Sequence, residues 1–161
     1  MTTPKLDELV FSMSGQLKAI SKQRPRTGKA GHFFTPKRTR DYERAVRDMA
    51  EASVWGPPVD FPVRMDIEIV HKVPKSWPKW KVWAALNGLI FPSVGDLDNK
   101  VKAISDAFNG IVYLDDVQIC KDENSQVYGV KELLTVKVTR AGYTLTEARR
   151  LYDENFSRGG A

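Results

Sequence analysis

The chain has 161 residues, 42% apolar and 28% charged, with a net charge of +5. That length suits one globular domain over residues 1–161, large enough to bury a core. No apolar run approaches the roughly 18 residues of a membrane span. The first eight residues lack the basic-then-apolar pattern of a signal peptide, and the single cysteine excludes an internal disulfide. A cytoplasmic protein is expected, with Cys120 as a small apolar member of a strand.

The charge is unevenly placed. Residues 18–47 hold ten Lys or Arg against two acids, so this stretch is +8 and the rest of the chain −3. A concentrated basic stretch on an acidic remainder suits a polyanionic partner, although a solvated basic loop has the same composition.

In chain order, residues 8–15 read as a strand closed by Gly15. Residues 16–38 form a basic arm broken by Pro25, Gly28 and Gly31, with a loose hairpin ending at Phe33-Phe34. Thr39 suits a helix N-cap, with Asp41 and Glu43 in the first turn, and Tyr42, Val46 and Met49 recur at helical spacing. A helix over 39–53 follows, its outer face carrying Arg40, Arg44, Arg47 and Glu51. Residues 63–71 alternate as a half-buried strand. Trp77, Trp80, Trp83 and Leu86 recur every three residues within 74–86, which reads as a short helix after Pro78. Packing onto the sheet suits Trp80 and Trp83, and stacking on unpaired bases is the alternative. Leu97, Val101, Ile104 and Phe108 mark a strong amphipathic helix stopped by Asn109-Gly110. Two β-like runs, 111–114 and 117–120, flank Asp115-Asp116, and 133–139 alternates as a last strand. Thr144 and Glu147 form a capping box opening a C-terminal helix over 144–155. Mixed strands and helices without strict alternation predict an α+β fold with a mostly antiparallel mixed sheet.

The chemistry concentrates in residues 95–120. Leu97 begins the apolar stripe, so Asp96 and Asp98 flank it at the helix entrance and stay out of the core. Two carboxylates so close repel each other, and a divalent cation with a taste for hard oxygen ligands, Mg²⁺ or Mn²⁺, removes the repulsion. Asp98, Lys102 and Asp106 share one helix face, an arrangement that an exposed ion-pair ladder also explains. Asp115-Asp116 suits a hairpin turn, or a corner returning to the helix entrance with a third carboxylate. A calcium loop counted from Asp96 fails, because Val101 and Ala107 stand where Gly and Glu are needed. The two histidines lie in separate segments, and too few Cys and His are present for a zinc site or a nucleophilic triad. Carboxylates with Mg²⁺, one lysine and a basic arm match phosphodiester hydrolysis.

Asp96-Leu97-Asp98-Asn99, Lys102, Asp106-Ala107, Asn109-Gly110 and Asp115-Asp116-Val117-Gln118 resemble, in order and spacing, the motif run of the RusA family of Holliday junction resolvases, often encoded by phages and prophages. The basic segment around Lys22-Gln23-Arg24-Pro25-Arg26 and Pro74-Lys75-Ser76-Trp77 resemble phage-type members, and Gly95 stands where Pro is common. The resemblance implies that Asp96, Asp98 and Asp116 are metal-binding catalytic carboxylates, with Asp115 a further candidate ligand, and that Lys102 is the catalytic lysine. It implies Mg²⁺ as cofactor, Mn²⁺ as its substitute, and no small-molecule cofactor. It also implies a homodimer that resolves four-way DNA junctions in recombination and repair, inside a bacterial or phage-infected cell. Lys22, Arg24, Arg26, Lys37, Arg38, Arg40 and Lys75 are candidate phosphate contacts. The alternatives are a flap or fork nuclease in phage DNA processing, and a non-catalytic structure-specific DNA-binding module. The acidic cluster argues against a pure binder, since uncovered carboxylates would repel DNA.

Overall fold

A computed structural model of the chain describes residues 3–93 and 95–157. In chain order they form β1 (Leu9–Gly15), β2 (Arg26–Thr27), β3 (Phe33–Phe34), α1 (Lys37–Ser53), β4 (Val63–Lys72), α2 (Lys79–Leu86), α3 (Leu97–Ala107), a 3₁₀ turn (Asp116–Gln118), β5 (Ile119–Gly129), β6 (Leu133–Arg140) and α4 (Leu145–Phe156). The main sheet runs β1-β6-β4-β5, and β2 pairs with β3 as a short hairpin in the basic arm. β6 is antiparallel to both β1 and β4, whereas β5 lies parallel to β4 at the sheet edge. The fold is α+β with a mostly antiparallel mixed sheet, as the sequence predicts.

The alternation in β4 decides which face is covered. Val63, Met65, Ile67 and Ile69 are buried with Phe11 and Met13 of β1 and Leu134, Val136 and Val138 of β6. Against them pack Tyr42, Val46 and Ala50 of α1 and Ala103, Ile104 and Ala107 of α3. The other face is polar. Arg64 Nε lies 2.9 Å from Asp66 Oδ1, and Arg64 Nη2 2.8 Å from Glu123 Oε2. One face on the core and one in water is the expected state of a largely antiparallel sheet.

Several local expectations are corrected. α1 begins at Lys37 after Pro36, not at a Thr39 cap. Thr39 is buried, and its Oγ1 accepts a hydrogen bond from the Gln23 amide at 3.3 Å, so it ties the arm to α1. Trp80 and Trp83 are 68% and 60% exposed, because α2 turns Ala84 and Ala85 inward. Trp77 meets Tyr128 edge-on at 5.1 Å, with Lys81 Nζ 3.8 Å above its ring. The run over 111–114 is not a strand. Ile111 and Val112 are buried in a turn, and buried Tyr113 makes only isolated bridges, to Val59 and Asn109. Residues 116–118 form the 3₁₀ turn, so the strand starts at Ile119. Cys120 is exposed, because it sits on the outermost strand. On α3 the buried face is Lys100, Ala103, Ile104, Ser105 and Ala107, with Leu97 and Val101 only partly covered. Small residues there let α3 approach its neighbours closely.

α4 opens on the predicted capping box, Thr144 Oγ1 accepting from the Glu147 amide at 3.2 Å and Glu147 Oε2 accepting from the Thr144 amide at 2.8 Å. Glu147 also pairs with buried Arg140, which anchors the helix to β6. Thr144→Ala is expected to cost about 1 kcal/mol of stability, read by urea denaturation.

Candidate active site

The entrance of α3 is built by its own side chains. Gly95 has φ +76°, a left-handed conformation that glycine adopts without strain. A Cβ there would also lie 2.6 Å from Ser21 Oγ, so a side chain would force Ser21 to shift. Asp96 then caps the helix, its Oδ1 accepting from the Asp98 amide at 3.1 Å and its Oδ2 from Asn99 Nδ2 at 3.3 Å. Asp96 and Asp98 are exposed on either side of Leu97, as their positions in the apolar stripe predict.

One turn along, Lys102 joins two elements. Its Nζ donates to Asp106 Oδ1 at 2.8 Å and to Asp116 Oδ2 at 2.7 Å. It does not close a ladder with Asp98, because the 3₁₀ corner brings Asp116 within reach. Asp106 bridges two lysines, its Oδ2 accepting from Lys22 Nζ at 2.8 Å, while Glu43 Oε1 lies 3.5 Å from the same ammonium. These carboxylates, Asp106 first and then Asp116, push the Lys102 pKa up, and Asp106 does the same to Lys22. Both lysines are cations at any ordinary pH.

The corner that presents Asp116 is held by its neighbours. Asp115 Oδ1 accepts from the Val117 amide at 3.0 Å, and Gln118 Oε1 accepts from the Asp115 amide at 3.0 Å. Gln118 Nε2 donates to the carbonyls of Val59 at 2.9 Å and Phe61 at 3.0 Å, which pins the corner beside β4. Asp115 is thus used as a cap, and Asp116 is the member of the pair turned toward α3. Below it, Tyr113 is buried and donates to the Ser105 carbonyl at 2.7 Å, locking the corner to α3. Burial raises the Tyr113 phenol far above its usual pKa.

The structure therefore joins Asp106, Asp116, Lys102 and Lys22 in one network, and sets Asp96 and Asp98 at the helix entrance one turn away. Among the described residues no three His, Cys, Asp or Glu side chains already surround a single point as a metal cage. Asp116 is held by an ammonium. The donor chemistry nonetheless fits a hard divalent cation, since all three groups are carboxylates and both entrance carboxylates are exposed.

The candidate phosphate contacts fall in two places. Lys22, Arg24, Arg26, Lys37, Arg38 and Arg40 lie on the arm and the start of α1, and Lys75 lies in the turn before α2. Lys22 is committed to Asp106 and Glu43, and Lys37 lies 3.6 Å from Asp41. Arg24, Arg26, Arg38, Arg40 and Lys75 are exposed.

Sequence reasoning passed over a second polar centre. Lys100, 2% exposed, donates to Gln126 Oε1 at 2.8 Å and lies 3.2 Å from His71 Nε2, while His71 Nδ1 is 3.8 Å from Glu132 Oε2. Burial, then the Lys100 charge, lowers the His71 pKa, which favours neutral imidazole, and its Nε2 faces both Lys100 Nζ at 3.2 Å and Gln126 Oε1 at 3.3 Å. The available signal was helical spacing, since residues 100, 103, 104 and 107 share one stripe.

The family model described as "Endodeoxyribonuclease RusA" matches residues 16–139. A Bacillus subtilis (strain 168) protein described as "Uncharacterized protein YqaN" is 29% identical to this chain over 140 residues, covering 83% of this chain and 96% of that protein. Among the described residues no helix is long and apolar enough to cross a membrane. The matched span takes in the basic arm, the α3 entrance and the Asp116 corner, and the chain belongs to the RusA family of endodeoxyribonucleases.

Proposed function

We propose that this chain is a divalent-metal-dependent endonuclease that resolves four-way DNA junctions by paired phosphodiester hydrolysis, working as a homodimer in recombination and repair. The observation that carries the reading is the bond from Lys102 to Asp116, which draws a carboxylate of the 3₁₀ corner to the helix that bears Asp96 and Asp98. Asp96, Asp98 and Asp116 would hold Mg²⁺, or Mn²⁺ in its place. When bound, the ion supplies an activated water and positive charge at the scissile phosphate. Asp96 would meet it from a fixed position, because its carboxylate is already ordered as the cap of α3, and the exposed Asp98 would join it from the first turn. With Asp116 as a metal ligand, Lys102 would keep Asp106 as its orienting partner and could offer its ammonium to the charge developing on the phosphate oxygens. Lys22 holds Asp106 from the other side, so it belongs to this positioning network. Arg24, Arg26, Arg38, Arg40, Lys37 and Lys75 would contact backbone phosphates without reading sequence. A junction has two-fold symmetry, which a symmetric dimer matches with two equivalent sites. The cytoplasm of a bacterial or phage-infected cell is the compartment this activity requires.

The test is cleavage of a labelled four-way junction, with linear duplex and flap substrates as controls, in Mg²⁺ and in EDTA. Symmetric paired nicks that require the metal support the reading. Preferential cutting of the flap would replace junction resolution by flap processing, and junction binding without cutting in either metal would make the chain a structure-specific binder. Asp115→Asn is expected to cleave within a few-fold of wild type, because asparagine caps a turn as well as aspartate. Initial-rate measurements check it, and a complete loss would make Asp115 a ligand.

A further inference from the structure

A cavity of about 320 Å³ opens beside the α3 entrance, between the basic arm and the end of β4. Lys18, Ser21, Lys22, Arg38, His71 and Lys100 line it, with Gly95 at its edge, and no carboxylate is among its lining residues. Asp96 follows the edge residue Gly95 and, with Glu132, acts electrostatically on Lys100. Asp106 and Glu43 engage Lys22, and Glu132 lies beyond His71. Among the described residues Lys18 and Arg38 have no ion-pair partner within 4.0 Å. Ser21 Oγ is buried and has no hydrogen-bond partner among the described residues. A hydroxyl left unsatisfied costs stability unless something accepts its proton. One guanidinium fork, lysine ammoniums and an orphan hydroxyl around one concavity match the oxygens of a phosphate group.

We infer that this cavity binds a backbone phosphodiester of the DNA strand being cut, one that neighbours the scissile phosphate, through Lys18, Arg38 and Ser21, with Lys100 supplying charge from beneath. The inference rests on the nuclease reading above and assigns to that site a second phosphate subsite. Gly95 is what connects the two. It lies at the cavity edge and is followed directly by Asp96, so a strand that delivers one phosphate to Asp96 and Asp98 passes the cavity. The missing side chain at Gly95 leaves room for Ser21 of the arm to come close to the α3 entrance. Lys100 serves here as a fixed charge. Its bonds to Gln126 and His71 hold its ammonium in place, so little side-chain freedom is lost when a phosphate arrives.

The test is a double-mutant cycle between protein and DNA. A four-way junction is made with single neutral methylphosphonates at successive positions around the cut. Its affinity is measured in EDTA for the wild-type chain and for Lys18→Gln/Arg38→Gln. At one position beside the cut, the neutral linkage is expected to weaken wild-type binding about tenfold and to weaken the variant less than about twofold. Equal weakening of both proteins at every position would overturn the inference. If the double variant does not fold, as judged by thermal melting, Ser21→Ala takes its place, with the same non-additivity expected at the same position. A parallel arm adds 5′-dAMP or inorganic phosphate. If either protects wild type against melting but not the variant, and no methylphosphonate position is sensitive, the cavity takes a terminal or free phosphate and the inference fails. Cleavage of the unmodified junction by wild type in Mg²⁺ is scored separately, so loss of the nuclease reading and loss of the subsite give different results.

Discussion

Asp116→Asn is expected to lower the single-turnover rate of junction cleavage by about a thousandfold or more, while junction affinity in EDTA changes little. Asparagine keeps the shape of the side chain and removes its charge. One of the three carboxylates proposed as metal donors would be lost, and Lys102 loses one of the two anions that orient it. The fold should barely notice. Lys102 is about half exposed, and an exposed pair contributes at most about 1 kcal/mol. Cleavage rate and melting temperature measured on the same preparation separate the two effects. A rate within a few-fold of wild type would remove Asp116 from the chemistry and leave the corner as a structural turn.

Phe108→Ala is expected to cost about 3–5 kcal/mol, a large part of the stability of a domain this size. Phe108 is 0% exposed and closes the C-terminal end of α3. Its ring meets Phe11 of β1 edge-on at 5.2 Å and Tyr113 at 6.3 Å. It therefore links α3, the sheet and the buried turn that leads to Asp116, and a cavity there loosens the elements that carry the acidic groups. Urea denaturation measures the cost. A change below about 1 kcal/mol would mean that the end of α3 is not anchored by this contact.

The contrast between these two residues shows what the sequence made legible. Phe108 lies on an apolar stripe, and Asp96 and Asp98 are excluded from it, so the placement of both could be read from helical period alone. The alternation of β4 and the capping box of α4 were equally local, and both are present in the fold. Features that depend on distant partners were not legible. Lys102 turns to Asp116 instead of Asp98 because the 3₁₀ corner reaches α3, and only the folded chain brings together these two residues 14 positions apart. Trp80 and Trp83 share a three-residue spacing that suits burial, yet α2 presents alanines to the interior. Thr39 has the chemistry of a cap but answers an amide from the arm, which no local pattern announces. Lys100 is the plainest case. A lysine looks solvated in sequence, and here tertiary contacts with β4 and β5 bury it against His71 and Gln126.

The central claim is that Asp96, Asp98 and Asp116 act together on one divalent cation, and calorimetric titration of the DNA-free protein with Mn²⁺, repeated in competition with Mg²⁺, tests it most directly. Wild type and Asp115→Asn are expected to bind with similar affinity, and Asp96→Asn, Asp98→Asn and Asp116→Asn each to lose most of that binding. Undiminished Mn²⁺ binding by Asp116→Asn, at the wild-type stoichiometry, would contradict a site shared between the α3 entrance and the corner.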